Sequence, residues 1–311
     1  MTGEGKASLA GIWAAIPTPF RQDGALDLDG IASNAQHYHS SLGLDGVFCH
    51  GIMGEGWSLT LDERQAALEA LTEGARSLRV GVVITHHALA ETLALARHAG
   101  AARAHHVVLM RPRGPYRDAE LIAYAEAVAD AAGLPLVLFE SPAPGMSFGP
   151  VVIEALARHG CLIGVKATGG AKAVSALRIF ASESCPICDP HEDQWLCSLL
   201  RDPAQPLYAD PEPYLYQTAS RQPIRDYRDA LAAGDAAAAL KSWRTLEPWR
   251  YVYERWIIGP LDRGHSPAAA LKYWMQHIGL AAGLVRAPLV PLSRAEMQAL
   301  YADLAALPHL H

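Results

Sequence analysis

The sequence predicts an α/β fold, a (β/α)8 barrel of the TIM-barrel class with a C-terminal helical domain. Three observations lead there. Short apolar runs recur eight times at intervals of roughly 25 to 35 residues, and alanine-rich amphipathic segments lie between them. Most of the runs close on Gly or Pro, as strands do where they meet a loop. After Ser220 the strand-like runs stop and helical periodicity takes over.

In order, the runs are "GIWAAIPTPF" from Gly11, "DGVFCHG" from Asp45, "RVGVVITHH" from Arg79 and "HHVVLMRP" from His105. They continue with "LPLVLFES" from Leu134, "CLIGVKATG" from Cys161, "SCPICDP" from Ser184 and "QPLYADP" from Gln205. Several are rich in Val and Ile, whose branched side chains suit a pleated surface. The gaps read as helices. In "TLDERQAALEALTEGAR", Thr60 is a natural N-cap with acidic residues in the first turn. "AETLALARHAGAARA" and "DAELIAYAEAVADAAG" keep apolar residues at three-and-four spacing, the second closing on Gly133. Eight alternations within about 215 residues fit a closed barrel. A doubly wound open sheet fits less well, because "PTPF" stands where a glycine-rich nucleotide fingerprint would follow the first strand. The barrel is expected over residues 1–222 and the helical domain over residues 223–311, from "IRDYRDALAAGDAAAALKSWRTLEPWRYVYERWI" onward.

Composition narrows the function classes. Half of the 311 residues are hydrophobic and 19% are charged, so a large core is affordable. A net charge of −6 and the absence of a basic run argue against a nucleic-acid partner. "MTGEGKASLAGIW" lacks a signal-peptide pattern, and no apolar stretch is long enough to span a membrane. Five cysteines, scattered and odd in number, read as reduced thiols of a cytoplasmic protein.

In such barrels the reactive groups sit at the C-terminal ends of the strands. Of five lysines, Lys166 alone ends a predicted barrel strand, in "CLIGVKATGG". Among apolar neighbours its charged form is poorly solvated, so its pKa is expected to fall and a neutral amine becomes accessible. A neutral lysine attacks ketones and forms a protonated imine, which draws electrons from the adjacent carbon without metal or cofactor. The competing reading is a strand-capping lysine in solvent.

The chain resembles the dihydrodipicolinate synthase / N-acetylneuraminate lyase family of class I aldolases. "GIWAAIPTPF" is similar to that family's first strand, and "GIMGEG", Gly51 to Gly56, stands at its Gly-Thr-Thr-Gly-Glu loop. "GVKATGG" is similar to the segment with the imine-forming lysine, and Arg286 to Leu289 to the Arg-x-Pro-Leu ending. The resemblance spans nearly the whole chain. It implies Lys166 as nucleophile and a substrate site from Gly51, Ile52, Met53, Glu55, Arg111, Phe139 and Thr168. It also implies a small 2-oxo acid substrate such as pyruvate, and a homotetramer or homodimer; Trp243, Trp249 and Trp256 lie either between subunits or in the core.

The departures matter equally. Phe139 stands where the family has its relay tyrosine, and Ile52 and Met53 stand for its paired threonines. The arginine expected after strand five has no match in "SPAPGM". These changes point away from dihydrodipicolinate synthase itself and toward a less hydroxylated substrate than a sialic acid. They also motivate a second reading, a barrel that binds a ligand without turnover. Glu140, His50, His86, His87 and Tyr116 lie at or near strand ends, where proton transfer is needed. Strand alternation sets Glu140 on the face opposite Phe139. Arg111 and Arg113 suit an anionic group at the barrel mouth. "CPIC", Cys185 to Cys188, with His191 and Cys197, is a weak metal signal, because a second pair is missing. "DPHED" from Asp189 reads as a solvated loop, with Asp189 in reach of the mouth.

Overall fold

The computed structural model describes residues 8–181 and 185–308. Its strands are β1 Ile12–Ala15, β2 Gly46–Cys49, β3 Arg79–Val83, β4 His106–Met110, β5 Leu136–Glu140, β6 Leu162–Ala167, β7 Ile187–Cys188 and β8 Leu207–Ala209. All ladders are parallel, in the order β7-β6-β5-β4-β3-β2-β1-β8. The two end strands meet through the Asp210 N–H, which donates to Pro190 O at 3.4 Å, and the Gln205 side chain, which donates to Ile187 O at 3.4 Å, so the barrel is nearly closed. Each strand lies within one of the eight apolar runs; Ser184, where the seventh begins, lies outside the described residues.

Helices follow the strands: α1 Leu28–Ser40, α2 Leu61–Ala75, α3 Leu89–Ala101, α4 Asp118–Ala132, α5 Pro150–His159, α6 Gly170–Phe180, α7 Trp195–Arg201 and α8 Glu212–Tyr216. Thr60 caps α2 in a full capping box, its hydroxyl accepting from the Glu63 N–H while the Glu63 carboxylate accepts from the Thr60 N–H. Gly133 ends α4 in the left-handed conformation, φ 61°. The C-terminal helices are α9 Pro223–Ala232, α10 Ala236–Arg244, α11 Glu247–Tyr253, α12 Gly259–Asp262, α13 Ala268–His277 and α14 Arg294–Ala305. A π-helical turn, Glu254–Ile258, joins α11 to α12.

Barrel interiors must be filled without voids, and here large rings face glycines. Trp13, His106 and Tyr208 pack together inside the barrel, with Trp13 5.0 Å from His106 and 5.6 Å from Tyr208 between ring centroids. A Cβ at Gly46 would overlap the Trp13 ring, and one at Gly81 would overlap His106. Burial holds the His106 pKa well below its usual range, so a neutral imidazole shares the 2.7 Å hydrogen bond with the Tyr208 hydroxyl.

Several ion pairs fasten the C-terminal segment to the barrel, among them Arg228 with Asp45 and the two that follow. Lys272 of α13, a second buried lysine, places Nζ 2.6 Å from Glu55 Oε1 and donates to Leu284 O at 2.8 Å. Both partners are almost fully buried. Arg286 grips the Glu63 carboxylate at 2.6 and 2.8 Å, its guanidinium stacked on Phe20. The three tryptophans all find partners within the chain. Trp249 is buried under Arg221, Trp243 stacks with Arg250, and the Trp256 indole N–H donates to Asp303.

The acidic run after β7 departs from the expected solvated loop. Asp189 and Glu192 are buried. Glu192 accepts from Arg250 at 2.8 and 3.1 Å and from the Tyr227 hydroxyl at 3.0 Å, because this loop turns under the C-terminal helices. A buried carboxylate needs such partners.

Two stability predictions follow from these pairs. Lys272→Met removes the counter-charge from a buried carboxylate, and we expect a loss of about 3–5 kcal/mol in urea unfolding. Glu63 is drawn down to about 2, chiefly by the Arg286 hydrogen bonds. Its folded-state pKa is depressed, so its contribution is complete above the unfolded value of about 4.3 and is lost as pH falls toward 2. Glu63→Gln should therefore cost about 1 kcal/mol near neutral pH, after allowance for partial exposure, and nothing near the acid end. Unfolding midpoints of both proteins across that range test the difference.

Candidate active site

Lys166 lies near the end of β6, 2% exposed, and points into the barrel. Its Nζ donates to Asp210 Oδ1 at 2.6 Å. The ammonium also lies over two aromatic rings, 5.0 Å from the Phe139 centroid and 5.7 Å from that of Phe48. The surroundings are thus not apolar alone, as the sequence had suggested, for a carboxylate completes them. Lys166 and Asp210 share a cavity of about 70 Å3 whose walls include Phe48, Val83, Val108, Met110, Phe139 and Thr168. Leu261 of α12 reaches into the same space from the helical segment.

A larger cavity of about 360 Å3 is lined by His191, Glu212, Arg250 and Tyr253, among others. Size favours the larger space, but chemistry favours the smaller one. Arg250 in the larger is already committed to Glu192, whereas the smaller opens on a lysine amine.

Gly51, Ile52 and Met53 line the small cavity through the turn after β2. Among the described residues no acceptor engages the backbone N–H of any of these three. The turn is held by close packing: a Cβ at Gly56 would strike the His50 carbonyl, and the Thr18 hydroxyl donates to Gly54 O at 2.7 Å. His50 and Glu55 take positive φ, 63° and 50°, an uncommon conformation for side-chain-bearing residues that packing must enforce. Phe139 and Thr168 also line the cavity, the Thr168 hydroxyl donating to Glu140 O at 3.3 Å.

Two residues expected at the substrate are not among the described residues lining this cavity. Glu55 is turned by its backbone into the ion pair with Lys272, so it anchors the loop from behind. Arg111 lies one residue past Met110, which faces inward; alternation sends Arg111 outward, where it donates weakly to Pro112 O and Gly114 O at 3.4 Å. Arg113 is exposed.

The candidate proton-transfer groups are also placed. Glu140 faces outward, its carboxylate accepting from the Ser147 hydroxyl at 2.5 Å and the Phe148 N–H at 2.7 Å. Burial raises its pKa against those hydrogen bonds. His50 is buried behind the turn, its pKa lowered well below the usual range by burial and then by the Arg64 charge. His86 and His87 lie outside the cavity with ring centroids 6.0 Å apart, and Tyr116 packs on Tyr124. Cys185 and Cys188 are buried thiols, each pushed up to about 12 chiefly by burial.

Asp210 escaped the sequence reading. Its signal was there: "QPLYADP" carries a carboxylate just before its closing proline, two residues after Tyr208 on the inward face. That this carboxylate stands opposite Lys166 is a property of the closed barrel.

The geometry agrees with the comparisons. A model of the "Dihydrodipicolinate synthetase family" matches residues 8–188. A 4-hydroxy-tetrahydrodipicolinate synthase of Stenotrophomonas maltophilia is 36% identical over 182 residues, 55% of this chain and 60% of that protein. The chain thus spans about three fifths of that relative over the match. The synthase of Xanthomonas axonopodis pv. citri is 31% identical over 97% of both chains. Among solved structures, YagE of E. coli K12, a prophage protein of the dihydrodipicolinic acid synthase family in complex with pyruvate, superposes with a TM-score of 0.82. It shares 24% identity over 96% of this chain and 98% of its own. N-acetylneuraminate lyase of Proteus mirabilis gives 0.78 at 23% identity, over 96% and 99%. At these identities the superpositions speak for the fold, while the family match and the near full-length relatives speak for descent: the chain belongs to the dihydrodipicolinate synthetase family.

Proposed function

We propose that this protein is a Schiff-base-forming lyase acting on pyruvate or another short 2-oxo acid, and that it is not dihydrodipicolinate synthase itself. The observation that carries the reading is Lys166, an amine buried on the wall of a small, mostly apolar cavity beside Asp210, at the rim where such barrels react. A charged group is costly to bury, so a lysine with its amine on a cavity wall calls for a chemical reason. With the amine neutral, nitrogen attacks C2 of the oxo acid, the carbonyl oxygen leaves as water, and a protonated imine remains. That imine stabilises negative charge at C3, from which cleavage, condensation or dehydration can proceed.

The cavity supports a small substrate. At roughly 10–15 Å3 for each water-sized occupant, about 70 Å3 suits a molecule of three to four carbons. The free N–H groups of Ile52 and Met53 are suited to a carboxylate, since backbone donors serve whatever the side chains are. Thr168 carries the only side-chain hydroxyl among the described residues lining the cavity, which disfavours a polyhydroxylated acid. In this reading the protein works in the cytoplasm as a homodimer or homotetramer.

A second reading has one observation in its favour: Phe139 stands against the Lys166 amine where the family's relay hydroxyl would be, as in a ligand-binding barrel without turnover. Borohydride reduction with pyruvate and longer 2-oxo acids, followed by intact mass measurement, separates the two. We expect an adduct on Lys166 with pyruvate or a close homologue, lost in Lys166→Ala. An unmodified mass with every oxo acid would remove the lyase reading, and brisk cleavage of N-acetylneuraminate would contradict the substrate class.

A further inference from the structure

We propose that Asp210 is the acid–base catalytic residue of this site, accepting the Lys166 proton to release the amine and returning it to the departing oxygen. The proposal rests on the Schiff-base reading above and deepens it, because that chemistry needs a proton carrier where Phe139 has no hydroxyl.

Geometry selects Asp210 from the candidates. It is the carboxylate in direct contact with the nitrogen that would react, at 2.6 Å, within the range of a charge-assisted hydrogen bond. It lies on the wall of the same cavity, so a bound oxo acid would meet both groups at once. Among the described residues lining that cavity, Lys166, Asp210 and Thr168 carry the only polar side-chain atoms, and Thr168 gives its hydroxyl proton to Glu140 O. Glu140 is on the outer face, tied to Ser147 and Phe148, and His50 is sealed behind the β2 turn. The Asp210 side chain is 11% exposed, enough to meet a ligand while held by its backbone bond to Pro190.

A structural carboxylate would serve equally well with its lysine anywhere in the core, as Glu55 does for Lys272. Asp210 differs because its pair opens onto a cavity. Glu212 stands two residues on in chain order and is buried. Its carboxyl is raised well above the usual range by burial, with the Asp210 charge adding to the effect. Glu212 is not among the described residues lining that cavity, so Asp210 is the carboxylate that faces the amine there.

The protons balance. Lys166 begins as an ammonium with three, and Asp210 as a carboxylate. One proton passes to Asp210, and the amine's electron pair forms the bond to C2 while the carbonyl π pair moves to oxygen. That oxygen takes a second proton from the nitrogen and then the first from Asp210, the C–O bond breaks, and water leaves. The third proton stays on the imine nitrogen, and Asp210 is again a carboxylate facing a cation.

The test is timed trapping of the pyruvate adduct with borohydride, read by intact mass, in the full-length protein. Asp210→Asn keeps the shape and removes the base, so its trapping rate should fall by about 10²–10⁴ while the adduct mass is unchanged. Asp210→Ala should be equally slow, and added formate, which fits the vacated space, should raise its rate in proportion to concentration without affecting the parent protein. An Asp210→Asn protein that traps pyruvate at the parent rate would overturn the proposal and leave the lyase reading intact. If Asp210→Asn fails to fold, a folded Asp210→Ala protein with a flat response to formate would overturn it as well. A parent protein that forms no adduct would overturn both.

Discussion

Closing a parallel sheet into a barrel sends alternate side chains of each strand into one confined interior, and that parity governs this molecule. Trp13, Phe48, His106, Met110, Phe139, Lys166, Tyr208 and Asp210 all lie inside because of it. Arg111 and Glu140, one residue out of phase, lie outside. Inside there is little water to solvate charge, so Lys166 and Asp210 are mutually obligatory: either one alone would be an unpaired buried ion. The large rings below them fill the rest, with glycines at Gly46 and Gly81 giving way.

The same rule of paired burial operates at a second place with another outcome. Glu55 and Lys272 are as deeply buried as the reactive pair, yet they line neither of the two cavities described above and act as a fastener. Their pairing turns Glu55 behind the β2 turn and leaves the backbone of Ile52 and Met53 at the cavity wall. Position relative to open space, not burial or charge, separates a fastening pair from a reactive one.

The C-terminal helices take part in the site as well as covering the barrel. The π-helical turn at Glu254–Ile258 directly precedes α12, which carries Leu261 into the cavity. Such turns shift the phase of a helix and recur near functional sites. Here the turn is next to the element that narrows the space above Lys166. Replacing hydroxyls by Phe139, Ile52 and Met53 makes that space more apolar, which strengthens every remaining electrostatic contact within it.

Much of this was legible in the sequence. Short apolar runs, capping residues such as Thr60 and Gly133, and the spacing of strand and helix are local signals, and the eight strands lie where those signals put them. Lys166 was legible because a lone lysine at the end of an apolar run is locally anomalous. The partners were not. Asp210 is separated from Lys166 by 44 positions and Lys272 from Glu55 by more than 200, and nothing local links either pair. Arg111 and Glu55 carried the right chemistry for a substrate contact, but strand phase turned one outward and a left-handed backbone turned the other toward Lys272. Residue types and periodicity are short-range properties of a chain. Which carboxylate meets which amine is decided only when the sheet closes and the last helices dock, because that step alone sets distances across the barrel.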